Sequence, residues 1–168
     1  PAGPGLNPES AEPMNADNHL LAEVVAETLE QYAFLFGEPE EGATVPPEPR
    51  DYIESAIGFT GGGERGLLYI AAPASLCREM AGNILGLDGS EVAEDAAMDA
   101  IKELANVLVG SFTVRRLGAD VPCALDTPTA RLVDPARMNA LAAREGAACF
   151  RVDEHLVVAV LEAQKSEA

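Results

Sequence analysis

Asp99, Glu103 and Asn106 are the residues of this chain whose types and spacing best suit chemistry. They stand at i, i+4 and i+7 in the run Asp99-Ala-Ile-Lys-Glu-Leu-Ala-Asn106. A helix turns once every ~3.6 residues, so this spacing puts the three side chains on one face. Gly110 continues the stripe and leaves bare backbone beside the polar groups. A carboxylate and a carboxamide one turn apart can hold a water and a cation together. The stripe is costly to a helix. Asp95, Asp99 and Glu103 are successive like charges at i, i+4, and each such pair disfavours a helix by about 0.2–0.5 kcal/mol. Asn106 and Gly110 are poor helix formers, Gly by about 1 kcal/mol against Ala. A helix selected for stability alone would avoid this face, although spacing by itself also fits a solvated surface of an acidic protein.

The elements that must position the stripe are legible from periodicity and stop signals. The long helix carrying it is expected to start at Ser90 as N-cap, with Glu91, Glu94 and Asp95 near its positive end. Arg115 and Arg116 lie near its negative end, and Gly118 closes it. Ile101, Leu104, Leu108 and Phe112 form its buried stripe. An earlier helix is expected over 17–36, capped by Asp17 or Asn18 and ended by Gly37. Residues 38–50 make an acidic, Pro-rich loop. Tyr52–Phe59 and Gly66–Ala71 are β-capable runs around Gly61-Gly62-Gly63, which predicts a hairpin. No Lys-Ser/Thr follows those glycines, so they are not a phosphate cradle. Pro73 opens a helix running to about Leu85, with Gly86 as its stop. Strands are expected at about 123–132, 147–152 and 155–161, with a turn at Asp153-Glu154 and a short helix over 138–144. This order predicts an α+β fold, an antiparallel β-sheet packed against long α-helices.

Bulk properties narrow the function classes. The chain has 168 residues, 48% of them apolar, with a formal net charge of −17. That length fits one domain, expected over 16–164. Residues 1–15 are expected to be a disordered leader or fusion remnant, with Met14 a candidate start, and 165–168 a tail. The charge disfavours nucleic acid and anionic membrane as partners, because both call for Lys and Arg facing phosphates. A cation or a basic patch on a protein fits better. No stretch approaches ~20 uninterrupted apolar residues. Cys77, Cys123 and Cys149 match neither a zinc spacing nor a disulfide framework, and read as free thiols in a reducing cytoplasm. His19 and His155 have no nearby ligand pattern, so no metal site is expected in this chain.

The segment Asp99-x-x-x-Glu103-x-x-Asn106 resembles the Asp/Ser-x-x-x-Glu-x-x-Asn signature of the CheC/CheX/FliY chemotaxis phosphatases. Glu103-Leu-Ala-Asn106-Val-Leu-Val-Gly110 extends the likeness. Ile57-Gly-Phe-Thr-Gly-Gly-Gly63 with Gly66-Leu-Leu-Tyr-Ile70 looks like the CheX hairpin. Val121 to Thr129, with Thr127-Pro128-Thr129, is similar to the segment after that family's long helix. CheC-type proteins carry the signature on two helices. Here Glu23 and Glu27 have Ala26 and Glu30 where an Asn would be needed, and Ser75-x-x-x-Glu79-x-x-x-Asn83 is off by one residue. One intact site makes the chain resemble CheX rather than CheC.

The resemblance implies a cytoplasmic phosphatase for the aspartyl phosphate of a CheY-type response regulator, with Mg²⁺ and a Lys supplied by that partner and no cofactor in this chain. It implies that Asn106 aims its carboxamide at the attacking water and that Glu103 pairs with the partner's Lys. Asp99 and Gly110 would have supporting roles. CheX relatives dimerise by joining sheet edges, so a homodimer is implied too. Two other readings stay open. One is a non-catalytic module that sequesters a receiver or a flagellar switch component. The other is an enzyme using Asp99 and Glu103 as paired carboxylates.

Overall fold

The computed structural model describes residues 8–46 and 48–165. In chain order the elements are α1 (Pro8–Gln31), β1 (Glu38–Pro39), β2 (Tyr52–Gly61), β3 (Glu64–Pro73), α2 (Ala74–Leu85), α3 (Glu94–Leu117), β4 (Cys123–Leu125), β5 (Thr129–Val133), α4 (Pro135–Ala142), β6 (Ala148–Val152) and β7 (His155–Lys165). The strands form one antiparallel sheet in the order β1-β6-β7-β3-β2, with β4 and β5 pairing successive stretches of β2. The expected α+β class is what the chain adopts.

Both faces of the sheet are covered, so both alternating sets of strand residues include apolar side chains. One set, including Ile53, Ile57, Phe59, Leu68, Ile70 and Val157, packs under α1, α2 and α3. The other set, including Tyr52, Ala71, Leu156 and Val158, packs against Met138 and Leu141 of α4. Burial of Ile101, Leu104, Leu108 and Phe112 follows the expected stripe of α3.

The hairpin between β2 and β3 turns on Gly62 and Gly63, with φ of 59° and 77°. Positive φ at both central residues is what a two-residue turn needs to match strand twist. Gly66 answers a different demand. It stands opposite Phe59, and an added Cβ would lie 2.1 Å from the Phe59 ring. That ring is buried and packs tilted against Phe112, 6.4 Å between centroids, so it has nowhere to swing.

Several boundaries differ from the sequence expectation. The expected leader lies outside the described residues over 1–7, as does the tail over 166–168. The first helix begins at Pro8, so Asp17 and Asn18 are not its caps, and Asp17 instead binds Arg116 at 2.8 Å. The same helix ends at Gln31 rather than Phe36, because the chain wraps there through Phe34 at φ 57° and a Leu35 N–H donated to the Leu29 carbonyl. Gly37 is therefore not a helix stop; it lets the chain pass close to Phe150 and Leu29. Ser90 is not the N-cap of α3. The Asp88 carboxylate accepts its N–H at 2.9 Å and its hydroxyl at 2.8 Å, which holds Ser90 in a separate 3₁₀ turn. The long helix restarts at Glu94 after Ala93, without a side-chain cap. The single strand expected over 123–132 is two strands, parted where the Asp126 N–H bonds the Gly58 carbonyl. The acidic loop includes the two-residue strand β1 on β6.

The three cysteines are free. Burial pushes the Cys77 thiol up to about 12, which removes it from thiolate chemistry near neutrality.

Gly66→Ala is expected to lower stability by about 1–3 kcal/mol, the usual range for overpacking. Urea unfolding of Gly66→Ala, and of Gly66→Ala with Phe59→Leu, measures this. The double variant is expected to lose less than the sum of its parts. An unchanged midpoint in Gly66→Ala contradicts the contact.

Candidate functional site

The buried stripe of α3 fixes the rotation of the helix about its axis. With Leu104, Ala105, Leu108 and Phe112 facing the core, Asp99 and Glu103 are exposed and Asn106 and Gly110 half-buried on the outer side. The expected side chains thus share one accessible face. Their partners separate them. Asp99 binds Lys102 at 3.1 Å, one turn on. Among the described residues, Glu103 and Asn106 have no side-chain hydrogen bond or ion pair. Asp99 and Glu103 are therefore not an equivalent pair of free carboxylates, which weighs against a paired-carboxylate enzyme. At Gly110 an added Cβ would meet nothing within 4 Å, so no contact inside the chain requires glycine there. The bare backbone faces open space.

Of the other positions that resembled the signature, Glu23, Glu27 and Asn83 are consumed by structure. Glu27 and Glu23 accept from Arg115 at 2.8 and 3.4 Å, tying α1 to the end of α3. Asn83 donates from Nδ2 to the Ala33 carbonyl at 3.1 Å and holds the end of α1 to α2. Arg116 bridges Asp17 and Glu64. Glu54, a carboxylate only 3% exposed, is likewise committed: Arg131 Nε and Arg137 Nε donate to it at 2.7 and 2.8 Å. Among the described residues no cluster of three or more His, Cys, Asp or Glu could hold a metal ion. No helix among them is long and apolar enough to cross a membrane.

Periodicity did not reveal the groove beside Glu103. It has a volume of about 270 Å³ and lies between Tyr32 at the end of α1, Ala81, Ile84 and Leu85 of α2, and Asp99 and Glu103 of α3. Leu76, Cys77, Met80 and Ala81 are the buried face of α2, and Ile84 and Leu85 continue the same helical spacing. Sequence spacing alone would bury them. The last turn of α2 overhangs the core instead, leaving Ile84 44% and Leu85 60% exposed. Tyr32 belongs to the apolar stripe of α1 by spacing, yet its ring forms a wall of the groove. Burial pushes its phenol above the ordinary tyrosine value, and the Glu103 carboxylate adds to the rise.

That coupling gives a test of the groove. The folded chain holds the Tyr32 proton above the pH at which the unfolded chain releases it. The associated stability is therefore full below the ordinary value of 10.0 and falls as pH rises past it. Glu103→Gln is expected to move the Tyr32 titration downward while leaving it above the ordinary value, because burial remains. NMR titration of ring-labelled tyrosine, assigned with Tyr32→Phe, reads this. No movement in Glu103→Gln would separate the two side chains.

Residues 53–151 match the family described as chemotaxis phosphatase CheX, a span that holds the hairpin and the whole Asp99–Gly110 stripe. No curated protein matches the chain. Several solved structures share the fold. Chemotaxis protein CheX from Vibrio vulnificus has a TM-score of 0.61 at 16% identity, covering 86% of this chain and 95% of that one. CheX in the CheX–CheY–BeF3–Mg²⁺ complex from Borrelia burgdorferi has a TM-score of 0.61 at 11% identity, covering 87% and 96%. Thermotoga maritima FliY has a TM-score of 0.53 at 14% identity, covering 92% and 91%. At these identities the neighbours show the fold alone, while the family match spans more than half of the chain. The chain belongs to the CheX family of chemotaxis phosphatases.

Proposed function

We propose that this chain hydrolyses the aspartyl phosphate of a CheY-type response regulator, with Asn106 positioning the attacking water and Glu103 pairing with a Lys of the receiver. One observation carries the reading. Among the described residues Glu103 and Asn106 are unpaired on the outer face of α3, whereas Glu23, Glu27 and Asn83 of the look-alike runs are engaged within the fold. The Borrelia neighbour, seen in complex with CheY, supports the choice of partner.

The chemistry asks little of the protein beyond placement. Water oxygen bonds to phosphorus, the bond from phosphorus to the aspartyl oxygen breaks, and carboxylate and inorganic phosphate result. A carboxylate is a good leaving group, so no acid need protonate it. Mg²⁺ bound by the receiver would neutralise the phosphoryl oxygens. What remains is to hold a water in line, and orientation of that kind is worth orders of magnitude in rate. The Asn106 carboxamide can orient water through a carbonyl acceptor and an amino donor without adding negative charge beside the phosphoryl group. A carboxylate at that position would repel it. Glu103, one turn away, provides the negative charge where it is useful, against an ammonium. Asp99 supports the helix face through Lys102 rather than touching the reacting atoms. The open backbone at Gly110 lets a partner approach the helix closely. Action on a CheY-type receiver places the protein in the cytoplasm. The exposed outer strand β5, with Leu132 53% exposed, is available for a homodimer through the sheet edge.

Asn106→Ala is expected to slow phosphate release from a phosphorylated CheY-type receiver by at least about a hundredfold, with receiver binding retained. Glu103→Ala is expected to weaken binding as well. Phosphate release in Mg²⁺ and titration of the receiver against each variant measure the two effects. Full activity in Asn106→Ala contradicts the mechanism. Binding without any acceleration by the wild type would assign the chain to the sequestering module.

A further inference from the structure

We infer that Phe34, Ile84 and Leu85 form an apolar rim that seats the receiver beside Glu103 and adds affinity to docking. The inference rests on the phosphatase reading above and names the surface that reading uses.

Ile84 and Leu85 stand on the edge of the groove that Glu103 closes on its other side. Phe34 is held at the same end of α2, because the carbonyl of its neighbour Ala33 accepts from Asn83, the residue before Ile84. Phe34 is 64% exposed, Leu85 60% and Ile84 44%. Exposed large apolar side chains grouped around one polar feature mark an interaction surface, whereas single ones are ordinary. Backbone geometry adds to this. Phe34 has φ 57°, a left-handed conformation that a bulky residue rarely adopts. Glycine would relieve that strain, and no buried contact of the Phe34 ring repays it.

Size and charge select the occupant. At about 270 Å³ the groove is at the small end of the range for bound molecules, roughly 300–1,000 Å³. It fits side chains protruding from a protein. Lys102 neutralises Asp99, so Glu103 supplies the unpaired charge of the groove. The complement is one cationic side chain flanked by apolar ones. A second copy of this chain fits poorly, since it brings another net charge of −17 and its own acidic groove. Attraction between Glu103 and that cationic side chain orients the partner, and short-range contact with the apolar side chains around it adds affinity.

Steady-state phosphate release, with the phosphorylated receiver as varied substrate in Mg²⁺, tests the rim. Phe34→Ser and Leu85→Ser both change exposed side chains, so the fold is kept. Each is expected to raise KM about tenfold, the usual cost of losing a central apolar contact, with kcat within about twofold of wild type. Asn106→Ala, in contrast, lowers kcat. Unchanged KM in both serine variants, with an active wild type, overturns the rim and leaves the phosphatase reading standing. Loss of self-association in those variants with KM unchanged would assign the rim to a second copy and also overturn the inference. A wild type that neither binds nor accelerates any receiver overturns the phosphatase reading, and the rim with it.

Discussion

The packing of one face of α3 onto the sheet decides where every candidate group points. Ile101, Leu104, Leu108 and Phe112 are each no more than 1% exposed. Burying four such side chains is worth roughly 6–12 kcal/mol in gross transfer terms. The opposing costs on the outer face are smaller. Two like-charge pairs, a poor helix former and a glycine together disfavour the helix by about 2 kcal/mol. The core therefore sets both the rotation of the helix and the outward direction of Glu103 and Asn106. The ion pairs of Arg115 and Arg116 fasten the far end of the same helix to α1 and β3. Exposed pairs of this kind contribute little each, so they adjust the position of a helix that apolar burial has already placed.

Polar groups divide sharply into those used by the fold and those left free. Glu54 lies on the α4 side of the sheet and is closed in by two arginines. Ser55, buried on the opposite side, donates to the Thr129 carbonyl at 2.8 Å. Asn83 is chemically the same group as Asn106, and its amide is occupied by the Ala33 carbonyl. Against that background Glu103 and Asn106, one turn apart on a helix, are among the polar groups of the described residues left free for a partner. Placement on a helix rather than a loop suits a mechanism that depends on holding a water in line.

Much of this was legible from residues alone. The Asp99–Asn106 spacing, the buried stripe of α3, the Gly62-Gly63 turn and the order of elements all follow from local periodicity and backbone preference. What was not legible depended on competing local contacts and on where the folded core ends. Asp88 captures Ser90 and moves the start of α3, although Ser90 is a good cap by type. Phe34 ends α1 in a conformation that its residue type disfavours, so Gly37 looked like the stop. Ile84 and Leu85 keep the helical period of buried residues, yet the core ends before they do. The groove at Glu103 is built from the ends of α1 and α2 and so appears only after the chain has folded.

The proposed hydrolysis turns on a neutral carboxamide, and not merely a polar group, at position 106. Its most direct test is the rate of phosphate release by Asn106→Asp, a change of charge with almost no change of shape, measured with receiver binding followed in parallel. A rate close to that of the receiver alone is expected, because the new carboxylate would repel the phosphoryl group. Wild-type acceleration by Asn106→Asp would contradict that mechanism.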